Sequence, residues 1–147
     1  MKVAAVHEAL AKANFDADAA ILTDVFLRSR NWTLNKLEFP IMDVTFEGSR
    51  PLRMRLTCND WNELPPAAEI LNPDGTDYKG ESRTGIFNMS AHPRTGRHFI
   101  CMRGFREYHT HTSHVADLWD TYRNQDGNNL PGLLDQLSRA WRSTMGY

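Results

Sequence analysis

Leu52-Arg53-Met54-Arg55-Leu56-Thr57 alternates apolar and polar residues at every step. A period of two puts the three apolar side chains on one side of an extended strand and the arginines on the other. Such a strand needs a core on one side and accepts water on its basic side, which demands an antiparallel sheet with one covered face. Upstream, Leu37, Phe39 and Ile41 alternate, and Val44 and Phe46 follow after a phase slip near Pro40 and Met42. Glu47-Gly48-Ser49-Arg50-Pro51 has turn composition. Residues 37 to 57 therefore read as an antiparallel hairpin. Pro65-Pro66 ends the sheet pattern, because consecutive prolines offer no backbone donors. Ala67 to Leu71 reads as a third strand, followed by a turn at Asn72 to Thr76 and a polar loop from Asp77 to Gly85.

Helical spacing flanks this sheet. Val3, Val6, Leu10 and Ala13 predict a short helix over residues 2 to 13 that stops at Asn14. Asp16 or Asp18 is expected to cap a second helix carrying Ala19, Ala20, Leu22, Val25, Phe26 and Leu27 to about Ser29. Near the other end, Pro131 suits a first helical turn, and Leu133, Leu134, Leu137, Ala140 and Trp141 form one apolar stripe. Val115, Leu118, Trp119 and Tyr122 predict another helix ahead of the Asn124 to Asn129 loop. Helices around antiparallel strands make an α+β fold, and 147 residues fit one domain, 1–147.

A net charge of -1 gives no electrostatic case for nucleic acid. No window has the apolar length of a membrane span, and the first apolar run, cut by His7 and Glu8, is too short for a signal segment. Two cysteines make no disulfide framework, so a cytoplasmic setting is expected.

Chemistry concentrates between His92 and His114, which holds five of the six histidines and Cys101. Phe99, Ile100 and Met102 suit a buried structural cysteine. Arg97, His98, Arg103 and Arg106 suit a reactive one, since neighbouring cations favour the thiolate. The residues alone leave both open. Glu107, His109 and His111 are spaced by two, so on a strand they would share a face, and with Cys101 they would make a sound zinc ligand set. Alternatively, the histidines support the thiolate or move protons. Cys58, with no histidine beside it, reads as structural.

The layout resembles a ubiquitin-conjugating enzyme. Leu64-Pro65-Pro66 resembles that family's proline-containing turn after the strands. His92-Pro93 resembles its His-Pro-Asn, and Gly96-Arg97-His98-Phe99-Ile100-Cys101-Met102 its cysteine segment with an insertion. The likeness covers roughly residues 16 to 141 in element order. More narrowly, Cys101, Glu107, His109 and His111 are similar to a bacterial family named for a Cys-Glu-His-His metal site. Its members accompany a ubiquitin-like protein, an adenylating enzyme and a deubiquitinase-like protease in antiviral conjugation operons.

The resemblance implies a ubiquitin-conjugating (UBC-like) fold and a transferase that needs no metal cofactor. Cys101 would take a ubiquitin-like protein as a thioester from an activating enzyme and pass it to an amine on a target protein. His109 and His111 would assist and Glu107 would orient one of them, while His92, Pro93 and Arg94 would shape the supporting loop. Arg94 stands where the family has asparagine, so that residue's role at the oxyanion passes to another donor or is absent. A zinc protein built on Cys101, Glu107, His109 and His111, or an inactive UBC-like binding module, is the alternative.

Overall fold

The computed structural model describes the backbone of residues 2–147 and the side chains from His7 onward. Helices α1 (Lys2–Ala19) and α2 (Asp24–Arg30) lead into strands β1 (Trp32–Glu38), β2 (Ile41–Phe46), β3 (Leu52–Thr57) and β4 (Ala67–Leu71). The short strands β5 (Phe87–Asn88) and β6 (Phe99–Ile100), helix α3 (Arg106–Thr110), a 3-10 turn at Trp119–Thr121 and helix α4 (Leu130–Met145) follow. The protein is α+β, with a four-stranded antiparallel sheet in the order β1-β2-β3-β4 and a separate β5-β6 pair. Among the described residues no helix is long and apolar enough to cross a membrane.

Alternation builds the core. Met42 pairs with Leu56, Val44 with Met54 and Phe46 with Leu52; Met54 and Leu56 then pair with Ile70 and Ala68. All of these are buried on one face of the sheet, against Leu130, Leu133, Leu134, Leu137 and Trp141 of α4 and Phe15 of α1. The opposite face is polar, but it is not the free basic surface that β3 promised. Arg53 donates to both carboxylate oxygens of Asp43 at 2.9 Å, and Arg55 Nε donates to Asp43 Oδ2 at 2.9 Å. Burial pushes the Asp43 carboxyl up, but the bonds from Arg53, Asn35 and Arg55 outweigh it and hold the group below its usual range.

The helix predicted to stop at Asn14 continues to Ala19. Its covered side carries Ala11 and Phe15, while Leu10 and Ala13 face solvent; Val3 and Val6 lie outside the described side chains. Asn14 stays helical because burial of Phe15, 1% exposed, overrides its weak propensity. Neither Asp16 nor Asp18 caps α2. Thr23 does, its hydroxyl accepting from Phe26 N–H at 3.1 Å. Asp18 is engaged elsewhere: its Oδ2 accepts from Trp61 Nε1 and from Leu130 N–H, both at 2.9 Å, joining α1 to the start of α4. Within α2 only Leu27 is fully covered, and Val25 is exposed.

The sheet has one strand more than expected. β1 starts at Trp32, and the first arm of the hairpin read over residues 37 to 57 is the end of β1 plus β2, joined through Phe39-Pro40, with β3 as its second arm. A bulge between Leu34 and Lys36 shifts the register, so the inward residues run Trp32, Leu34, Leu37. The predicted helix through Val115, Leu118, Trp119 and Tyr122 is reduced to the 3-10 turn, with Val115 and Leu118 exposed. The C-terminal helix forms as read. Asn129 caps it by accepting from Gly132 N–H at 2.8 Å, and Pro131 sits in its first turn.

Candidate functional site

Cys101 follows β6 directly, and its N–H donates to Ile86 O at 2.7 Å, so the backbone there is anchored to the strand opposite. Gly104, at φ +99°, then turns the chain against α4, with room for hydrogen only: a Cβ there would lie 2.5 Å from Leu133 Cδ2. The thiol opens into a shallow cavity of about 400 Å³ whose wall includes Arg103, Tyr108, Tyr122, Asn128 and Gln136.

The cations expected to ionise Cys101 point elsewhere. Arg97 pairs with Glu69 and Asp77, and Arg103 with Asp117. Arg106 donates to Pro65 O and Asn59, and His98 bonds Met89 O at 3.0 Å. Burial is left as the influence on the thiol and pushes its pKa up. The resting sulfur is therefore a thiol, and it needs a proton acceptor to become a nucleophile. His114 is that acceptor in position: its Nε2 lies 3.7 Å from Cys101 Sγ.

Neither His109 nor His111 fills this role. His109 Nδ1–H donates to Asp117 O at 2.7 Å, and its Nε2 accepts from Gly104 N–H at 3.0 Å. Both ring nitrogens are occupied by backbone, and burial holds its pKa down, so His109 is a neutral brace for the Gly104 turn. His111 Nδ1 accepts from Ser113 N–H at 3.1 Å, and its ring stacks on Phe99 with centroids 5.5 Å apart.

The Glu107 carboxylate orients no imidazole. It lies on helix α3, not on a strand, so Glu107, His109 and His111 share no face. Its Oε1 accepts from Ala68 N–H at 2.9 Å, fastening α3 to the start of β4. Burial raises its pKa against the pull of that bond. Arg106 adds to the latch, its N–H donating to Pro66 O and its Nε to Pro65 O. The proline pair that ends the sheet pattern thus supplies the carbonyls that seat α3.

With those side chains committed to separate partners, Cys101, Glu107, His109 and His111 do not form one donor set for zinc. Among the described residues no group of three histidine, cysteine, aspartate or glutamate side chains is placed to share a metal ion.

The His-Pro loop is built around a buried ring. Arg94 N–H donates to His92 Nδ1 at 3.0 Å, which leaves the proton on Nε2 to donate to Glu107 O at 2.8 Å. His92, 1% exposed, is therefore structural, as expected for a buried hydrogen-bonded histidine. Pro93 and Arg94 are exposed beside it. Cys58 is fully buried, and desolvation pushes its thiol far above the ordinary range.

The residues missed in the sequence are His114, Tyr108 and Asp117. His114 stood at the edge of the histidine-rich stretch, and no spacing rule linked it to a cysteine thirteen residues earlier. No protein-family model matches the chain, and no curated protein matches it significantly.

Proposed function

We propose that this protein is a ubiquitin-conjugating-like transferase that carries a ubiquitin-like protein as a thioester on Cys101. The observation that carries the reading is the Cys101–His114 pair, 3.7 Å apart, with Cys101 lining an open surface cavity. The element order supports it: two N-terminal helices, four-strand meander, proline pair, His92-Pro93 loop, cysteine segment and C-terminal helix follow one another in the order that the resemblance implies.

In the first step Cys101 sulfur attacks the carbonyl carbon of the activating enzyme's thioester. His114 Nε2 takes the thiol proton, the new C–S bond forms, and the activating enzyme's sulfur departs as thiolate. In the second step an amine of a target protein attacks the same carbon. Cys101 leaves as thiolate, and the amine's proton passes through His114 to that sulfur, restoring the thiol. Thioester exchange is close to thermoneutral, so the protein's contribution is position and proton removal. The setting that fits is a bacterial antiviral conjugation operon.

The test is to mix the protein with a bacterial ubiquitin-like protein, the adenylating enzyme that activates it, and ATP. A thiol-sensitive adduct is expected on wild type, a stable ester or nothing on Cys101→Ser, and slow charging on His114→Ala. An adduct that persists on Cys101→Ala overturns the reading. Arg94, standing where the family has asparagine, also fits an inactive binding module; in that case adduct forms with no transfer to any amine.

A further inference from the structure

Apart from its Nε2 contact with Cys101 Sγ, the His114 ring makes no side-chain hydrogen bond among the described residues. What holds it is a stack. Tyr108 lies flat under His114, with centroids 4.2 Å apart and planes 13° apart. Tyr108 is itself held from its far end, where its hydroxyl donates to Asp117 Oδ2 at 2.7 Å.

Asp117 is the most heavily bonded side chain in this region. Oδ2 also accepts from Arg103 Nε at 2.7 Å, and Oδ1 accepts from Tyr122 O–H at 2.6 Å. Its backbone oxygen accepts from His109 Nδ1–H. These donors come from the turn after Cys101, from α3 and from beyond the 3-10 turn. One carboxylate thus gathers the cavity wall and fixes the ring on which His114 rests. The backbone adds to this, since Asp117 N–H donates to His114 O at 2.9 Å.

We infer that Asp117 is a positioning residue that sets the His114 imidazole against the Cys101 thiol through the stacked ring of Tyr108. In the familiar arrangement a third group bonds the base directly and fixes its orientation. Here a tyrosine stands between carboxylate and base, and the orientation passes through a ring face. The arrangement requires an aromatic ring at 108 and an acceptor at 117, and it leaves His114 Nε2 free for the sulfur. The inference rests on the Cys101–His114 pair of the proposed function but not on conjugation itself.

The test reads the thiol directly. Iodoacetamide alkylates Cys101 when the sulfur attacks the methylene carbon, iodide leaves and His114 takes the thiol proton; mass spectrometry confirms the site. Rates are measured across pH for wild type, His114→Ala, Asp117→Asn, Tyr108→Phe and Tyr108→Ala, and for the double variants with His114→Ala. The ionisable groups facing His114 are Cys101, Tyr108 and His111, with His109 behind Tyr108.

Asp117→Asn is expected to slow alkylation roughly tenfold, part of the ~100-fold that a positioned base contributes. It should also move the pH profile towards that of His114→Ala. In the His114→Ala background Asp117→Asn should change nothing further, since both act through one imidazole. Tyr108→Phe, which keeps the ring but loses the tether, should fall between wild type and Tyr108→Ala. If Asp117→Asn slows the reaction by the same factor with and without His114, Asp117 acts on the thiol or the cavity and the inference is wrong. If Asp117→Asn does not fold, the Tyr108→Phe and His114→Ala cycle decides on the same criterion. Failure of conjugation with an intact cycle would overturn the proposed function and leave this inference standing.

Discussion

Glu107 is a carboxylate held among hydrogen-bond donors at the junction of α3 and β4, 8% exposed. Replacing it with alanine leaves Ala68 N–H buried without its partner, at a cost of about 1–3 kcal/mol measured by urea denaturation. Because burial raises its pKa, the folded chain holds the Glu107 proton more tightly than the unfolded chain does. That contribution to stability is fully present below the ordinary glutamate range and is lost as pH rises through the raised value. Glu107→Gln keeps the acceptor and removes the charge. Its stability is expected to lack this decline and to gain on wild type as pH rises through the window. At this scale the sequence was only partly legible. Cys101 could be singled out as a candidate from residue type, and the structural part of Cys58 from its lack of histidine neighbours. The partners could not, because two ring nitrogens bonded to backbone remove His109 from chemistry and a stacking contact brings in His114. Such facts depend on where the backbone runs.

Gly104 makes an element-level point: the turn that carries the chain from Cys101 to α3 is seated on the first turn of α4. Gly104→Ala combines a positive φ with overlap against buried Leu133. A loss of roughly 1–3 kcal/mol in thermal or urea unfolding is expected, together with altered Cys101 alkylation, because Leu133 must move or the turn must lift. Elements with sustained periodicity were legible here. β3, β4 and α4 each show one covered face along their length, and the structure has them where the pattern ends. α1 was cut short in the reading because Asn14 resembles a stop signal, although Phe15 one residue later continues the covered side. β1 was missed because its bulge breaks the alternation after Leu34. α3, only five residues long, is seated by the proline carbonyls and by Ala68 rather than by its own propensity, so no local pattern announces it.

The whole molecule separates two thiols. Cys58 sits in the core beneath the sheet, and Cys101 stands at a cavity mouth. A thiol reagent is expected to titrate one sulfur per native chain and a second only on unfolding, with the slow phase following the unfolding rate. Two fast sulfurs in native protein would contradict the packing. The α+β class follows from strands followed by helices, each with one apolar side, and this was readable without coordinates. The assembly of the site was not, since it depends on the turn at Gly104 and the loop around Asp117. The same bulge that hid β1 has a further consequence. β1 is an outer strand, and a long, regular outer strand invites a second chain to add alongside it. The shift after Leu34 interrupts the row of backbone groups, and Asn35 beside it donates to Asp43 and Thr45. An irregularity of one residue therefore discourages sheet-to-sheet aggregation, and deleting Asn35 would restore a straight edge on which copies of the chain could polymerise.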